Sequence, residues 1–458
     1  MNLSALLSLI GFLVVIFLIL LSFKYNKNPN SSKNRFYLEF WFAPIIGILF
    51  LIFTLTINQE IIIRGIIGGS ENIQPYAILI LFMSLAYICI SLDITGFFEY
   101  LALYVLKAAK NSGKRLFIYF FFFSSILTLF TSNDIVILTI TPIIIYFARY
   151  AKINPIPYLI AQFFAANIWS FALYIGNPTN IIVAEAYDFT FLNYSTWTIL
   201  PTITAGLICF TFLWIIFRKQ LPATFETPII NPKTAIKDKN GAVFGTIILI
   251  LCLLMLSLAP FFNLVLWQIT LFFALIILFR NIIYHIYTKY HGSNLQIIQK
   301  SLKRMPWKIV PFIIGMFIMV EALVASGWVD VFARSLSNLS DNLLISIFII
   351  AFLASLACNL MNNQPMTILF TQILLSSSYQ SSDQIKLGII FALIMGSNFG
   401  ANFTLVGSLA GIMWYKILSD KDVKITFKQF ARYGFLIMPF VISLSCLVLY
   451  LELLFWYN

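Results

Sequence analysis

The chain has 458 residues, of which 61% are hydrophobic and only 10% are charged. Its long, continuous apolar runs exclude a water-soluble domain, and they exclude a membrane β-barrel, whose segments of about ten residues alternate apolar and polar side chains. The formal net charge of +12 does not indicate nucleic-acid binding, because the lysines and arginines lie in short loops between apolar runs, where they set membrane topology.

The first half begins with three apolar segments, at 2–23, 38–58 and 77–96. Four basic residues lie in the loop between the first two segments, so this loop is predicted to be cytoplasmic and the N-terminus to lie outside. The loop at 59–76 is poor in basic residues and is predicted to be on the outer side. An amphipathic stretch at 97–115 follows, and we expect it to lie along the cytoplasmic interface.

Residues 115–150 form one long apolar stretch with Thr131-Ser132-Asn133-Asp134 in its middle and basic residues at both ends. Both ends are therefore predicted to be cytoplasmic, which one straight helix cannot achieve. A re-entrant hairpin with the polar tetrapeptide at its tip can. Such a tip must be buried in protein or face a watery cavity, because lipid does not satisfy non-helical backbone.

A broken span is predicted at 155–190, interrupted at Gly176-Asn177-Pro178-Thr179-Asn180, because glycine and proline in mid-span unwind a helix and free backbone groups. A further span at 195–217 ends the first half. The polar linker at 218–241 is the predicted boundary between the two halves.

The second half, 242–458, repeats this plan. It has three spans (242–259, 262–283, 307–325), an amphipathic stretch (326–341), a hairpin (343–380) broken at Asn359–Pro365, a broken span (386–415) containing Asn402-Phe403-Thr404, and a last span (434–454). An odd number of crossings per half requires the second half to be inverted, with both termini outside. The predicted fold is an all-α membrane protein with about ten transmembrane helices and two re-entrant hairpins in two inverted repeats, 1–217 and 242–458, a pattern typical of secondary transporters.

The polar breaks are predicted to meet near the middle of the membrane as one substrate site. Asn133-Asp134 is matched with Asn362-Asn363 at an offset of 229 residues, and Asn177 with Asn402 at an offset of 225. Amides, hydroxyls and half-helix N-termini suit a small, oxygen-rich solute that is neutral or anionic. The candidate substrate-binding residues are Thr131, Ser132, Asn133, Asn177, Thr179, Asn180, Asn362, Asn363, Asn402 and Thr404.

Carboxylates within the membrane are the candidate groups for proton coupling, because an intramembrane charge is expensive and indicates function. Asp134, in the first hairpin tip, is the first candidate, followed by Asp93 and Glu321, for which pairing with a basic residue or an interfacial position is the alternative. Asn363 stands where a second carboxylate would be needed, so the pattern favours proton coupling over a metal site. No nucleotide-binding or catalytic motif is present, and we expect no enzyme activity, no cofactor and no resident metal.

These motifs resemble those of the ion transporter superfamily, and most of all its arsenite permease (ArsB) branch. The matching stretches are Leu92–Glu99, Thr131–Asp134 with Leu138–Pro142, Phe164–Asn167, Gly176–Asn180, Pro306-Trp307, Gly315-Met316, Asn359–Pro365 and Asn402–Ala410. The resemblance implies export of arsenite or antimonite across the bacterial inner membrane, driven by the proton gradient, with an elevator-like motion of the hairpin domain. The partner that the resemblance implies is a separate ATPase subunit, and a second copy of the chain is a further candidate partner.

Two other readings stay open at this point. A sodium-coupled carrier of dicarboxylates or oxyanions shares the architecture, although the paired Ser-Asn-Thr motifs typical of the sodium–dicarboxylate carriers are absent from both hairpins. A sodium–proton antiporter of the same superfamily also shares it. An intramembrane enzyme is a third class, and it lacks a catalytic set in this sequence.

Overall fold

A computed structural model of the chain describes residues 3–25, 39–68, 73–225, 231–290, 297–338 and 342–457. Within these ranges the secondary structure is helical, with no β-strand. Most of the basic loop predicted at the cytoplasmic face, including Lys27, Lys33 and Arg35, lies outside the described residues.

The helices of the first half range from 9 to 27 residues in length. They are α1 (Leu3–Tyr25), α2 (Phe42–Phe53), α3 (Gln59–Ile67), α4 (Pro75–Ile94), α5 (Phe97–Ala108), α6 (Gly113–Phe130), α7 (Asn133–Tyr150), α8 (Ile156–Trp169), α9 (Pro178–Ala186) and α10 (Phe191–Phe217).

The described part of the second half has the same number of α-helices as that of the first. They are α11 (Lys239–Leu258), α12 (Leu266–Tyr290), α13 (Ile297–Arg304), α14 (Ile309–Ala325), α15 (Trp328–Ser337), α16 (Leu343–Met361), α17 (Asn363–Leu375), α18 (Asp383–Gly400), α19 (Leu409–Asp420) and α20 (Phe427–Trp456). The short helix α13 lies in what the sequence predicts to be a loop.

Ten helical segments in the described part of the chain are long and apolar enough to cross a membrane. The predicted all-α membrane class is thereby confirmed, but the ten segments are not the ten predicted spans. They include α6, α7 and α16, which are arms of the predicted hairpins, and they leave out α2. At 1.5 Å per residue, the 12 residues of α2 cover roughly 18 Å, against about 30 Å of bilayer hydrocarbon.

The second predicted span, 38–58, is wrong in its length because the helix ends at Phe53. The hydroxyl of Thr54 donates a hydrogen bond to the carbonyl oxygen of Phe50 at 3.0 Å, and Leu55 has a left-handed φ of 54°. The helix α3 then occupies part of the predicted loop 59–76. Asn58 starts it by accepting a hydrogen bond on its side chain from the backbone N–H of Ile61 at 3.0 Å.

The helices pack as two bundles. The first bundle contains α1–α4 and α11–α14, with α4 against α11 and α12, and α14 against α2 and α3. The second contains α6–α10 and α16–α20, with α6 against α8, α16 against α18 and α10 against α20. Helices α5 and α15 join the two bundles, since α5 contacts α4 and α7 while α15 contacts α14 and α17.

Helices α6 and α7 meet at the polar break and have their other ends close together. The backbone N–H of Gly113 donates to the carbonyl oxygen of Pro222 at 3.1 Å, and the ring of Phe147 contacts that of Phe225 at a centroid distance of 5.3 Å. The start of α6 and the end of α7 therefore contact the same short segment. The predicted break at 131–134 is confirmed at Thr131 and Ser132, while the re-entrant path through a membrane stays a prediction.

The first broken span breaks earlier than the sequence predicts. Helix α8 ends at Trp169, the chain is not α-helical until Pro178, and Asn180 lies within α9 rather than in the break. Pro178 is suited to the first turn of a helix, where its missing N–H group is not needed. Asn177 caps the helix by accepting a hydrogen bond from the N–H of Thr179 at 3.2 Å.

The match between the two halves is shifted relative to the sequence-based one. Helix α17 starts at Asn363, 230 residues after the start of α7 at Asn133, so Asn133 matches Asn363 rather than Asn362. Helix α19 is capped by Ser408, 231 residues after Asn177, so the counterpart of Asn177 is Ser408 and not Asn402. The inverted relation of the halves stays a prediction.

Candidate functional site

The first break places polar groups at the N-terminus of α7. The hydroxyl of Thr131 donates to the carbonyl oxygen of Leu127 at 2.7 Å, which closes the last turn of α6. Ser132 precedes the first residue of α7, and the side-chain oxygen of Asn133 accepts a hydrogen bond from the backbone N–H of Asp134 at 2.9 Å. All three polar residues before Asp134 are buried, while Asp134 is partly buried.

An amide relay runs from this break into the second half of the chain. The amide nitrogen of Asn133 donates to the side-chain oxygen of Asn167 at 3.0 Å, and the amide nitrogen of Asn167 donates to that of Asn402 at 2.9 Å. All three side chains are at most 2% exposed. The relay therefore connects the tip of the α6–α7 pair, the end of α8 and the break between α18 and α19.

Asn398 is the centre of a second buried cluster. Its side-chain oxygen accepts hydrogen bonds from the Ser170 hydroxyl at 2.7 Å and from the Asn177 amide at 3.0 Å. Its amide nitrogen donates to the side-chain oxygen of Asn180 at 2.6 Å and to the carbonyl oxygen of Ile394 at 2.8 Å. The hydrogen-bonding capacity of this amide is thus fully used, and three of its four bonds hold the two broken spans together.

The break between α16 and α17 lies against the break between α18 and α19. The backbone N–H of Asn363 donates to the carbonyl oxygen of Gly407 at 3.0 Å, and the amide of Asn362 donates to that of Val406 at 3.2 Å. Thr404 donates through its hydroxyl to the side-chain oxygen of Asn359 at 2.6 Å. The four breaks are therefore joined by hydrogen bonds, while their role as one substrate site stays a prediction.

Besides the hydroxyl of Tyr174 and the indole nitrogen of Trp169, three buried polar atoms at these breaks have no hydrogen-bond partner among the described residues. They are the amide nitrogen of Asn402, the hydroxyl of Thr179 and the side-chain oxygen of Gln364. Leaving such a group unpaired costs about 1–3 kcal/mol, so unpaired groups in a folded protein call for an explanation. Thr179 and Gln364 lie in the first turns of α9 and α17, two helices that contact each other.

The three candidate proton-coupling residues have different surroundings. The carboxylate of Asp134 has no hydrogen bond or ion pair within the described ranges, and it lines a cavity of about 50 Å³. Asp93 lines the same cavity and forms an ion pair with Arg304, with an oxygen–nitrogen distance of 2.7 Å. Glu321 is buried in α14, in the other bundle from Asp134, and lines neither this cavity nor the larger one next to it.

The larger cavity has a volume of about 780 Å³ and a strongly basic lining. It lies between α7 of the second bundle and the helices α4 and α13 of the first. Its charged lining residues are Asp93, Glu99, Arg149, Lys237, Lys300, Lys303, Arg304 and Lys421. Six basic side chains against two acidic ones make this a region of positive potential, which attracts anions.

Sequence reasoning missed Asn167, Ser170 and Asn398 as site residues, although they carry the hydrogen bonds that join α8 and α9 to α7, α18 and Asn402. Asn167 and Asn398 share one signal, since each lies two residues before the end of the helix that leads into the break of a broken span. Glu452 was also missed. It is 4% exposed in α20, and neither of its carboxylate oxygens has a hydrogen-bond partner in the part of the chain that the structure describes.

Comparison with known proteins extends this picture. A family model described as a citrate transporter (CitMHS) matches residues 33–389. Arsenical pump membrane proteins of Escherichia coli and Yersinia enterocolitica are each 29% identical over 377 residues, covering 81% of this chain and 85% of each relative. A 46 kDa membrane protein of Mycobacterium leprae is 24% identical over 418 residues, covering 90% of this chain and 94% of the relative.

These matches confirm the resemblance to the ion transporter superfamily and its arsenite permease branch. Because the family model covers more than half of the sequence, the chain belongs to the citrate transporter (CitMHS) family and is a membrane transporter.

Proposed function

We propose that this transporter exports arsenite or antimonite in exchange for protons. The observation that carries the proposal is the position of Asp134, a carboxylate without a protein partner among the described residues. It lies at a helix break, next to the first amide of the relay that reaches Asn402. Protonation and deprotonation of this carboxylate would alter the charge at the break, and each proton moving down 100 mV supplies about 2.3 kcal/mol.

The chemistry of the breaks supports a small neutral solute. Arsenite at neutral pH is mostly an uncharged triol, which both donates and accepts hydrogen bonds. The unpaired amide of Asn402 can donate, the oxygen of Gln364 can accept, and the hydroxyl of Thr179 can do both. The N-termini of α7, α9, α17 and α19 add the positive ends of helix dipoles at the same breaks. The names of the Escherichia coli and Yersinia relatives support an arsenical substrate.

The division into two bundles supports an elevator-like mechanism. All four breaks lie in the bundle of α6–α10 and α16–α20, whereas the other bundle is made of helices without these breaks. The second bundle, which contains the breaks, can move as one body because hydrogen bonds from Asn398 and the amide relay join the helices of its two halves. Movement against α1–α4 and α11–α14 would then carry the breaks across the membrane.

A carboxylate or oxyanion carrier is the second candidate. Two observations favour it, namely the citrate transporter family model and the positive potential of the 780 Å³ cavity. A cavity lined by six basic side chains would concentrate an anionic substrate, and it would give no such advantage to a neutral one.

Transport by everted vesicles separates these candidates. Uptake of arsenite, antimonite, citrate, sulfate and sodium is measured with and without a proton gradient. We expect arsenite and antimonite to accumulate only with the gradient. Citrate or sulfate uptake in place of arsenite uptake would replace the proposed substrate with an anion, and dependence on sodium instead of the proton gradient would replace the proposed coupling ion.

Asp134→Asn tests the coupling residue. The variant should lose proton-dependent arsenite transport, because an amide cannot take part in the proton exchange, while its amount in the membrane stays at the wild-type level. Asp420→Asn is the matched control, since it removes the same charge from an exposed position in the last turn of α19. Wild-type transport by Asp134→Asn would end the proposed role of this carboxylate.

A further inference from the structure

The two cavities beside α7 share part of their lining. Asp93, Leu138, Thr139 and Arg304 line both the basic cavity of about 780 Å³ and the cavity of about 50 Å³ that contains Asp134. The two cavities are therefore neighbours, and the shared residues lie at their junction.

One face of α7 runs along the whole route. Asp134 and Leu138 line the small cavity, and Leu138, Pro142, Tyr146 and Tyr150 line the large one. These residues are spaced by four, so they lie one above the other on a single face of the helix. From Tyr150 to Asp134 the route is roughly 24 Å long at 1.5 Å per residue.

An ion pair lies across the junction of the two cavities. Arg304 is the last residue of α13 and reaches Asp93 near the end of α4 at 2.7 Å. The Arg304 side chain is 45% exposed, whereas that of Asp93 is 7% exposed. The arginine is therefore the more accessible partner of the pair, and both residues line both cavities.

The pair belongs to a different bundle from Asp134. Helices α4 and α13 contact each other in the first bundle, and α7, which carries Thr139 and Asp134, is in the second. A displacement of one bundle against the other would therefore widen or close the junction.

We propose that the Asp93–Arg304 ion pair is a gate that closes the route between the basic cavity and Asp134. The inference rests on the proposed place of Asp134 on the transport path. Arg304 and Asp93 are positioning residues in it, because they control access to the site without being its binding groups. The basic lining outside the gate favours the approach of anions over cations.

Thiol labelling tests the gate without any transport substrate. The five native cysteines are buried, so the parent protein supplies a low background. Ile135→Cys reports on the small cavity only and Tyr146→Cys on the large cavity only. Each variant, in membrane vesicles of both orientations, is treated with a membrane-impermeant anionic methanethiosulfonate and with its cationic counterpart, and each rate is divided by the rate with free cysteine.

We expect Tyr146→Cys to be labelled in one vesicle orientation, faster by the anionic reagent than by the cationic one. Ile135→Cys should be labelled slowly. Adding Asp93→Asn or Arg304→Gln should raise the labelling rate of Ile135→Cys by about tenfold, the factor that corresponds to about 1.4 kcal/mol of lost attraction. The labelling rate of Tyr146→Cys should stay within about twofold of its rate without the second substitution.

Lys303→Gln is the matched control, because it removes the same charge from the large cavity but keeps the ion pair intact. Equal labelling of Ile135→Cys with and without the ion pair would overturn the gate, as would an equal rise with Lys303→Gln. A failure of arsenite transport in the vesicle assay would leave these labelling results unchanged, so the two proposals fail separately.

Discussion

Replacing Asn398 with leucine tests whether one amide holds the two broken spans together. Leucine has the same branched shape with the same number of heavy atoms, and its two methyl groups replace the amide oxygen and nitrogen, so the hydrogen bonds are lost. The Ser170 hydroxyl keeps a partner, because it also lies 2.8 Å from the carbonyl oxygen of Asn167. The amide nitrogen of Asn177 and the side-chain oxygen of Asn180 lose theirs, since both contact Asn398 in the wild-type protein.

The expected loss follows from these two orphaned groups. Each buried polar group without a partner costs about 1–3 kcal/mol, so the variant should lose about 4 kcal/mol of stability. With an unfolding entropy of about 2 cal/mol/K per residue, a chain of this length changes by about 1 kcal/mol per kelvin near the midpoint. The midpoint of thermal unfolding should therefore fall by about 4 °C or more.

The assay is thermal unfolding in detergent followed by tryptophan fluorescence. Asn338→Leu is the matched control, because it makes the same substitution at an exposed position and should stay within about 0.5 kcal/mol of wild type. The double variant Asn398→Leu with Asn180→Leu should lose less than the sum of the single losses, since both partners of one hydrogen bond are then removed. A midpoint for Asn398→Leu equal to that of Asn338→Leu would refute the reasoning.

Two further substitutions test the local structure. A Cβ atom at Gly176 would lie 2.3 Å from the carbonyl oxygen of Ser170, so Gly176→Ala should lower the free energy of unfolding by about 3 kcal/mol; a midpoint unchanged from wild type would show that the break can widen freely. The carboxylate of Asp238 caps α11 at the N–H of Gly241 and pairs with Arg280 at 2.6 Å with 3% exposure, so Asp238→Ala should lose about 4 kcal/mol. Asp238→Asn should lose about 1 kcal/mol less than Asp238→Ala because it retains the helix cap. Equal losses of stability for the two variants in urea or thermal unfolding would show that the cap contributes nothing.

Hydropathy and local polar interruptions predict much of the fold. The break at Thr131 and Ser132 and the kinked span before Pro178 were found from the residue types alone, because glycine, proline and capping side chains act within one or two helical turns. The same local reasoning failed at α2. There the Thr54 hydroxyl bonds back to the helix and the left-handed backbone of Leu55 ends the helix before the apolar run ends. This reasoning also matched Asn177 with Asn402 of the other half, because both are polar residues in a break. Only the structure shows that Ser408 caps the next helix and is the matching residue.

By itself, the sequence determined that this chain is a helical membrane protein with interrupted segments, because a backbone in lipid must satisfy its hydrogen bonds locally and composition reports this directly. Only the tertiary structure decided which buried amides meet. Asn398 bonds to residues more than 200 positions away, and Arg304 reaches Asp93 from a helix that hydropathy did not predict. Such partners are chosen by how helices pack in three dimensions, and no local pattern of residues encodes that choice.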